Sequence, residues 1–287
     1  MKVRTFAELL RVEQWYKNLV VFFAQFFSKG IFDISLLEKT VLSFTALCLL
    51  SSSYYILNDI WGREADRRHP EKKRRPIASG VVSISFGYAL SITLFVLSFA
   101  VALTLPPTFK AIMVLLFLSS LAYNLWLKDI AFLDFHVIAV NFLLRAIGGA
   151  VVIDVPASAW LITTVFFTAM LLGVNKRRAE LTVLGEDAVK FRNVYTEYTM
   201  ELLDILLVII SALLLVSYVL YTFFINAGGY MMLTIPFASF ALFRYLQLTT
   251  DQSIRGKAHR MFLDIQIIVC FALWGITLFY ILYILKI

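Results

Sequence analysis

The chain has 287 residues, of which 61 % are hydrophobic and only 16 % charged; ordinary soluble domains run at about 45–50 % and roughly 25 %. That balance, with 26 Phe among the apolar residues, excludes a disordered chain, a coiled coil, a collagen and a secreted disulfide scaffold. In so apolar a chain the formal charge of +7 does not point to a nucleic-acid partner. The class that remains is a polytopic membrane protein.

The first fifteen residues, MKVRTFAELLRVEQW, lack a long apolar core and a small-residue cleavage site, so no signal peptide is expected. Val3, Phe6, Leu9, Leu10 and Trp15 suit a short helix lying at the membrane interface. A helix needs about 20 mostly apolar residues to cross the hydrocarbon core. Nine stretches qualify, near 16–32, 40–58, 85–105, 109–127, 132–152, 159–175, 204–224, 229–247 and 265–285. Strands of a membrane barrel would be shorter and alternate in polarity, so helices are expected. Pro106-Pro107 separates the third stretch from the fourth, Asp154 to Pro156 the fifth from the sixth, and Asn226, Gly228 and Gly229 mark the next turn but one. Cys48 and Cys270 sit in apolar runs and read as small buried residues, without a disulfide framework.

Charge orients such a bundle. The N-terminus and the loops after even-numbered spans hold 21 of the 26 Lys and Arg, against four (Lys29, Lys39, Lys110 and Lys286) on the other side. An excess of positive charge on the inner face predicts a cytoplasmic N-terminus and cytoplasmic long loops. The two longest polar loops, 59–84 and 176–203, both follow even-numbered spans and hint at two halves.

The densest polar segment is NDIWGREADRRHPEKKRRPIASG, 58–80. Asn58, Asp59, Gly62 and Asp66 fall on one helical face. Carboxylates on a membrane helix are costly and normally face a cavity or a partner. Lys72, Lys73, Arg74 and Arg75 follow. Acids beside bases suit a magnesium-bound diphosphate, the acids holding the metal and the bases neutralising the remaining charge. The plainer alternative is a basic inner loop with local salt bridges. The second loop opens with NKRRAEL, 175–181, where Lys176, Arg177 and Glu180 lie within about one and a half turns. They read either as a second phosphate clamp or as a surface ion pair. Trp15 reads as an interface anchor, and Lys17 as either a headgroup contact or an anion ligand. Arg145 is the only basic residue deep in a span and needs a carboxylate, carbonyl or phosphate partner, with Asp134, Asp59 and Asp66 as candidates. His136 reads as structural.

These motifs resemble the UbiA superfamily of intramembrane prenyltransferases. NDIWGREAD, 58–66, matches the first motif of that family, N-D-x-x-D-x-x-x-D, except that Gly62 stands where the central aspartate is usual. The fuller string is most similar to the polyprenyl (decaprenyl)-phosphate phosphoribosyltransferase branch: QWYKN at 14–18, HPEKKRRPIASG at 69–80, LAYNLWLKD at 121–129, LLRAIGGA at 143–150 and NKRRAEL at 175–181. The likeness covers essentially the whole chain, in order. It implies one all-α membrane transferase domain over 1–287, with nine helices and two polar cytoplasmic loops capping a central cavity, in a prokaryotic cytoplasmic membrane. It implies transfer of a 5-phosphoribosyl group from 5-phosphoribosyl 1-diphosphate to a polyprenyl phosphate, with Mg2+ at Asp59 and Asp66. Lys176 and Glu180 would join those aspartates in catalysis, and Lys17, Asn58, Arg74, Arg75, Tyr123, Arg145 and Arg177 would bind substrate. On a regular helix, however, residues 59 and 66 stand about 10 Å apart along the axis, while Mg–O bonds are only about 2.0–2.1 Å. Glu64, Glu180 or water are the available substitutes for the missing ligand at Gly62. The alternatives are a prenyl-diphosphate transferase acting on an aromatic or lipid acceptor, a non-catalytic lipid-binding descendant, and a transporter of an anionic metabolite.

Overall fold

The computed structural model describes residues 3–69, 71–224, 229–250 and 264–285. Pro70, Asn226, Gly228, Lys286 and the loop 251–263, all used in the reading above, lie outside the described residues. A short helix α1 (Val3–Leu10) leads into a 3-10 helix (Val12–Val21) and α2 (Phe22–Phe27). There follow α3 (Ile34–Trp61), α4 (Arg63–Arg68), α5 (Ile84–Val101), α6 (Pro107–Leu125), α7 (Leu133–Val152), α8 (Ala159–Leu184) and α9 (Ala188–Phe191). The last are α10 (Met200–Phe224), α11 (Ile235–Thr250) and α12 (Ile265–Phe279). Among the described residues, eight helices are long and apolar enough to cross a membrane, and no strand is formed. Each overlaps one of the expected stretches from 40–58 onward. The first expected stretch, 16–32, differs: it is a 3-10 turn run and a six-residue helix, so eight of the nine expected spans are seen among the described residues.

The helix starts follow local chemistry. Asp33, Ser83 and Ser158 accept hydrogen bonds from the backbone N–H groups of Leu36, Phe86 and Leu161 and so cap α3, α5 and α8. Asp264 caps α12 in the same way, and Pro107 opens α6, where its missing N–H costs nothing. Large apolar side chains such as Ile92, Val96, Val208, Phe271 and Ile276 remain exposed on α5, α10 and α12, as faces meant for acyl chains would be.

The chain divides into two compact units, residues 1–127 with 141–157, and residues 128–140 with 158–287. Each unit carries one of the two long polar loops. The first is built on a core of Val21, Ala24, Leu47, Leu50, Phe109, Met113 and Leu116, with a second cluster joining Leu9 of α1 to Ile56, Ile60 and Ile77. Gly148 and Gly149 let α7 approach its neighbours closely. A Cβ on Gly149 would sit 2.8 Å from the carbonyl carbon of Val21 and nearer still to its oxygen, so the backbone would have to move. Gly149→Ala is therefore expected to destabilise the protein by about 1–3 kcal/mol. A thermal unfolding midpoint in detergent equal to wild type would refute that packing. In the second unit α8 lies along α10. Two of its interior polar pairs are Asn175, which donates to the Tyr245 hydroxyl at 2.7 Å, and Trp274, which donates to the Tyr218 hydroxyl at 2.7 Å.

Candidate active site

Helix α3 ends at Trp61, and α4 begins one residue beyond Gly62, which has φ −87° and ψ 2°. That break changes the geometry of the acidic pair. A single guanidinium nitrogen of Arg75 donates to Asp59 Oδ1 at 3.1 Å and to Asp66 Oδ2 at 2.7 Å. The two carboxylate oxygens are therefore less than about 6 Å apart. Arg11 of the first unit's N-terminal segment makes a second ion pair with Asp59. Both acids are withdrawn from solvent, Asp59 at 2 % and Asp66 at 8 % exposure. Two carboxylates and two guanidinium groups balance in charge, which is what makes their burial tolerable.

The loop after α4 carries Arg75 to this position. Arg67 reaches from α4 to donate to the carbonyl of Ala78 at 3.0 Å, while Ile77 and Ala78 are buried. The expected substitute Glu64 does not join the pair. It is exposed and turned to Arg63 and Arg67. Arg74 is exposed and Asn58 half-buried on α3, where its carbonyl accepts from the N–H of Gly62. Mg2+ takes one or two carboxylates and leaves the rest of its shell to water and phosphate oxygens. Asp59 and Asp66 suit that donor set. Among the described residues, no group of three or more His, Cys, Asp or Glu could hold a metal by protein ligands alone.

Arg145 does not meet the carboxylates proposed for it. At 4 % exposure it donates to Asn18 Oδ1 at 2.7 Å, to the Tyr54 hydroxyl at 2.7 Å and to the carbonyl of Asn141 at 2.5 Å, all neutral acceptors. Lys17 is half-buried with its ammonium 6.0 Å from the centre of the Tyr55 ring. Tyr123, half-buried on α6, is among the groups acting electrostatically on it. Trp15 is tied by its indole N–H to Ser52 at 3.0 Å, which fixes the segment to α3.

The second unit has its own polar cluster, at the end of α8. Arg177 is buried, its side chain 1 % exposed, and pairs with fully buried Asp134 and with Glu180. Tyr198 donates to Asp134 at 2.7 Å, and Tyr195 donates to Glu180. Burial, and then the neighbouring carboxylate, push both phenols above their usual pKa, so each hydroxyl stays a donor. Asp134 is thus the partner of Arg177, not of Arg145. Lys176 is exposed and acts electrostatically on Glu180. His136 donates from Nδ1 to the carbonyl of Phe132, 2.7 Å away, and stacks on Phe135, as a structural histidine would. Asn18 stands in the QWYKN motif without a role assigned by sequence, and Arg11, Tyr54, Tyr195 and Tyr198 are not singled out by sequence. The only signal available was their place inside or beside the polar motifs.

The model of the UbiA prenyltransferase family matches residues 19–276. The decaprenyl-phosphate phosphoribosyltransferase of Mycolicibacterium smegmatis is 31 % identical over 282 residues, covering 92 % of this chain and 88 % of that protein. The decaprenyl-phosphate phosphoribosyltransferase of Mycobacterium tuberculosis is 31 % identical over 257 residues, 86 % of this chain and 84 % of that one. Among solved structures, a UbiA homolog from Archaeoglobus fulgidus bound to DMAPP and Mg2+ superposes with a TM-score of 0.74 at 18 % identity, covering 96 % of this chain and 98 % of that one. The fold is therefore that of the UbiA structures: all-helical, polytopic and membrane-embedded.

Proposed function

Since this chain belongs to the UbiA prenyltransferase family, we propose that it is a single membrane transferase domain. It moves a 5-phosphoribosyl group from 5-phosphoribosyl 1-diphosphate to a polyprenyl phosphate. The choice of donor and acceptor is supported by the likeness to decaprenyl-phosphate phosphoribosyltransferases over most of the chain. The observation that carries the chemistry is the convergence of Asp59 and Asp66 on one nitrogen of Arg75. A cationic group already sits where two carboxylates meet.

In the reaction, an oxygen of the lipid phosphate bonds to C1 of the ribose. The bond from C1 to the diphosphate oxygen breaks, and diphosphate leaves with the electron pair. The lipid phosphate is already an anion, so no general base is needed. A divalent cation, when bound, shields the charge that grows on the leaving diphosphate. Asp59 and Asp66 are the residues that would hold it. Arg75 and Arg11 then exchange a carboxylate for phosphate oxygens, so their positive charge follows the donor rather than being lost. Arg74 adds an exposed charge beside them. Lys17 and Arg145 serve the phosphates deeper in the first unit, and Tyr123 and Asn58 supply neutral polar contacts. In the second unit Lys176 is the exposed cation and Glu180 the polar contact. Arg177, clamped by Asp134 and Glu180, acts as a positioning residue. The membrane is the prokaryotic cytoplasmic one, with the N-terminus and both polar loops on the inner side.

The test is release of diphosphate by protein purified in detergent with Mg2+. Release is expected from 5-phosphoribosyl 1-diphosphate only when a polyprenyl phosphate is also present, and is not expected from a prenyl diphosphate with an aromatic acceptor. Release from the second pair but not the first would replace this reading with a prenyl transfer.

A further inference from the structure

Three cations gather around Tyr54 and Tyr55 on α3: Arg11 and Lys17 lie 5.1 Å and 6.0 Å from the Tyr55 ring centre, and Arg145 donates to the Tyr54 hydroxyl. Arg11 is balanced by Asp59. Lys17 and Arg145 make no ion pair among the described residues. Arg145 is held by Asn18, Tyr54 and the Asn141 carbonyl, which fix its direction and leave its charge unbalanced. The strongest electrostatic neighbours of Lys17 are Tyr54, Arg145, Arg11 and Tyr123, two of them cations. Like charges gathered in an apolar bundle are costly without an anion between them.

The second observation is a polar one. The side-chain oxygen of Asn141, one turn before Arg145 on α7, is buried with no donor among the described residues. Its own amide donates to Ser120 at 3.4 Å, so the remaining oxygen can be satisfied only by a group that brings a hydrogen. A phosphate monoester carries about −1.5 to −2 charges near neutral pH, which matches two monocations, and it or its sugar brings hydroxyl groups. A diester, with one charge, leaves one cation unbalanced.

We propose that Lys17 and Arg145, framed by Asn18, Tyr54 and Asn141, form a binding site for a phosphate monoester that is separate from the Asp59–Asp66 pair. Tyr54 lies five residues before Asp59 on α3, so the site is about 7 Å further along that helix. Only the source of the phosphate rests on the transferase reading. It is either the 5-phosphate of the ribosyl donor or the head of the polyprenyl acceptor.

The experiment is equilibrium binding to the full-length protein in detergent with EDTA, so that no metal contributes. The probes are ribose 5-phosphate and a short polyprenyl monophosphate, with ribose and the matching polyprenol as phosphate-free controls. At least one phosphate is expected to bind, and neither control. Lys17→Met is expected to weaken that binding at least about tenfold, the loss of one charged hydrogen bond. Asp66→Asn is expected to leave it within about twofold, as a distant independent site would. Which probe binds assigns the source. The proposal is overturned if neither phosphate binds, if Lys17→Met binds as wild type, or if Asp66→Asn abolishes binding. Arg145→Gln repeats the test where it folds, and Lys17→Met, on a half-exposed side chain, carries it where it does not. If monoester binding holds while no donor pair releases diphosphate, the transferase reading falls and this site remains.

Discussion

Asp66→Asn should lower the rate of diphosphate release by about 10²–10³-fold, the size seen when one preorganised electrostatic contact to a developing charge is removed. The substitution keeps shape and hydrogen-bonding length but removes the charge that shares the Arg75 nitrogen with Asp59. Asp66 is the better choice of the two acids. Asp59 also neutralises Arg11, and losing it would leave that largely buried cation unpaired. The effect should fall on turnover and on the Mg2+ concentration required, not on the apparent affinity for the lipid. Gly62→Asp probes the same titration from the other side. At φ −87° any L-residue fits the backbone, and the new Cβ meets only the Asn58 carbonyl oxygen, at 3.0 Å, a contact relieved by a few tenths of an ångström. A third carboxylate between the existing two should lower the Mg2+ midpoint. Initial rates across a Mg2+ series decide both. Asp66→Asn turning over within about threefold of wild type would remove this aspartate from the chemistry.

The helices and the two polar clusters differ in how far sequence could reach them. Hydropathy found the long apolar helices from α3 onward, because twenty apolar residues have few other ways to satisfy their backbone in lipid. It did not foresee the local form of 16–32, where Asn18 is buried and accepts from Arg145 and the backbone over 12–21 winds as a 3-10 helix. The acidic motif was legible as a motif and not as a geometry. A straight helix through residue 62 puts the aspartates about 10 Å apart, and only the break at Gly62, with the return of the RPIA segment, brings both to Arg75. Arg11 lies 48 residues from Asp59, and nothing local announces that pairing. Arg145 and Arg177 look alike in sequence, each an arginine near an apolar run. One is held by neutral groups and the other by Asp134, 43 residues away, so their charges have opposite fates. Partners that distant are set by packing, which a single sequence does not display.

That contrast makes Arg177 the residue whose loss should damage the fold most. Its side chain is 1 % exposed and bridges Asp134, itself fully buried, to Glu180. Arg177→Met keeps much of the volume and removes the charge, leaving Asp134 as a buried carboxylate with only the Tyr198 hydroxyl to answer it. Breaking a buried pair from one side costs about 3–5 kcal/mol, a large share of a typical stability of roughly 5–15 kcal/mol. Tyr195, which donates to Glu180, would lose its anchor as the carboxylate loses its arginine, and the segment after α8 should loosen with it. Removing both charges is expected to hurt less than the sum. Asp134→Asn combined with Arg177→Met should recover at least about 1 kcal/mol relative to additivity, since contacting residues in one network couple by about 0.5–3 kcal/mol. Unfolding of the single and double variants in detergent measures this directly, with hydrogen exchange across 188–199 as the local readout. A phosphate-clamping Arg177 would behave in the opposite way: Arg177→Met would keep its unfolding midpoint, lose affinity for the donor, and show no coupling to Asp134→Asn.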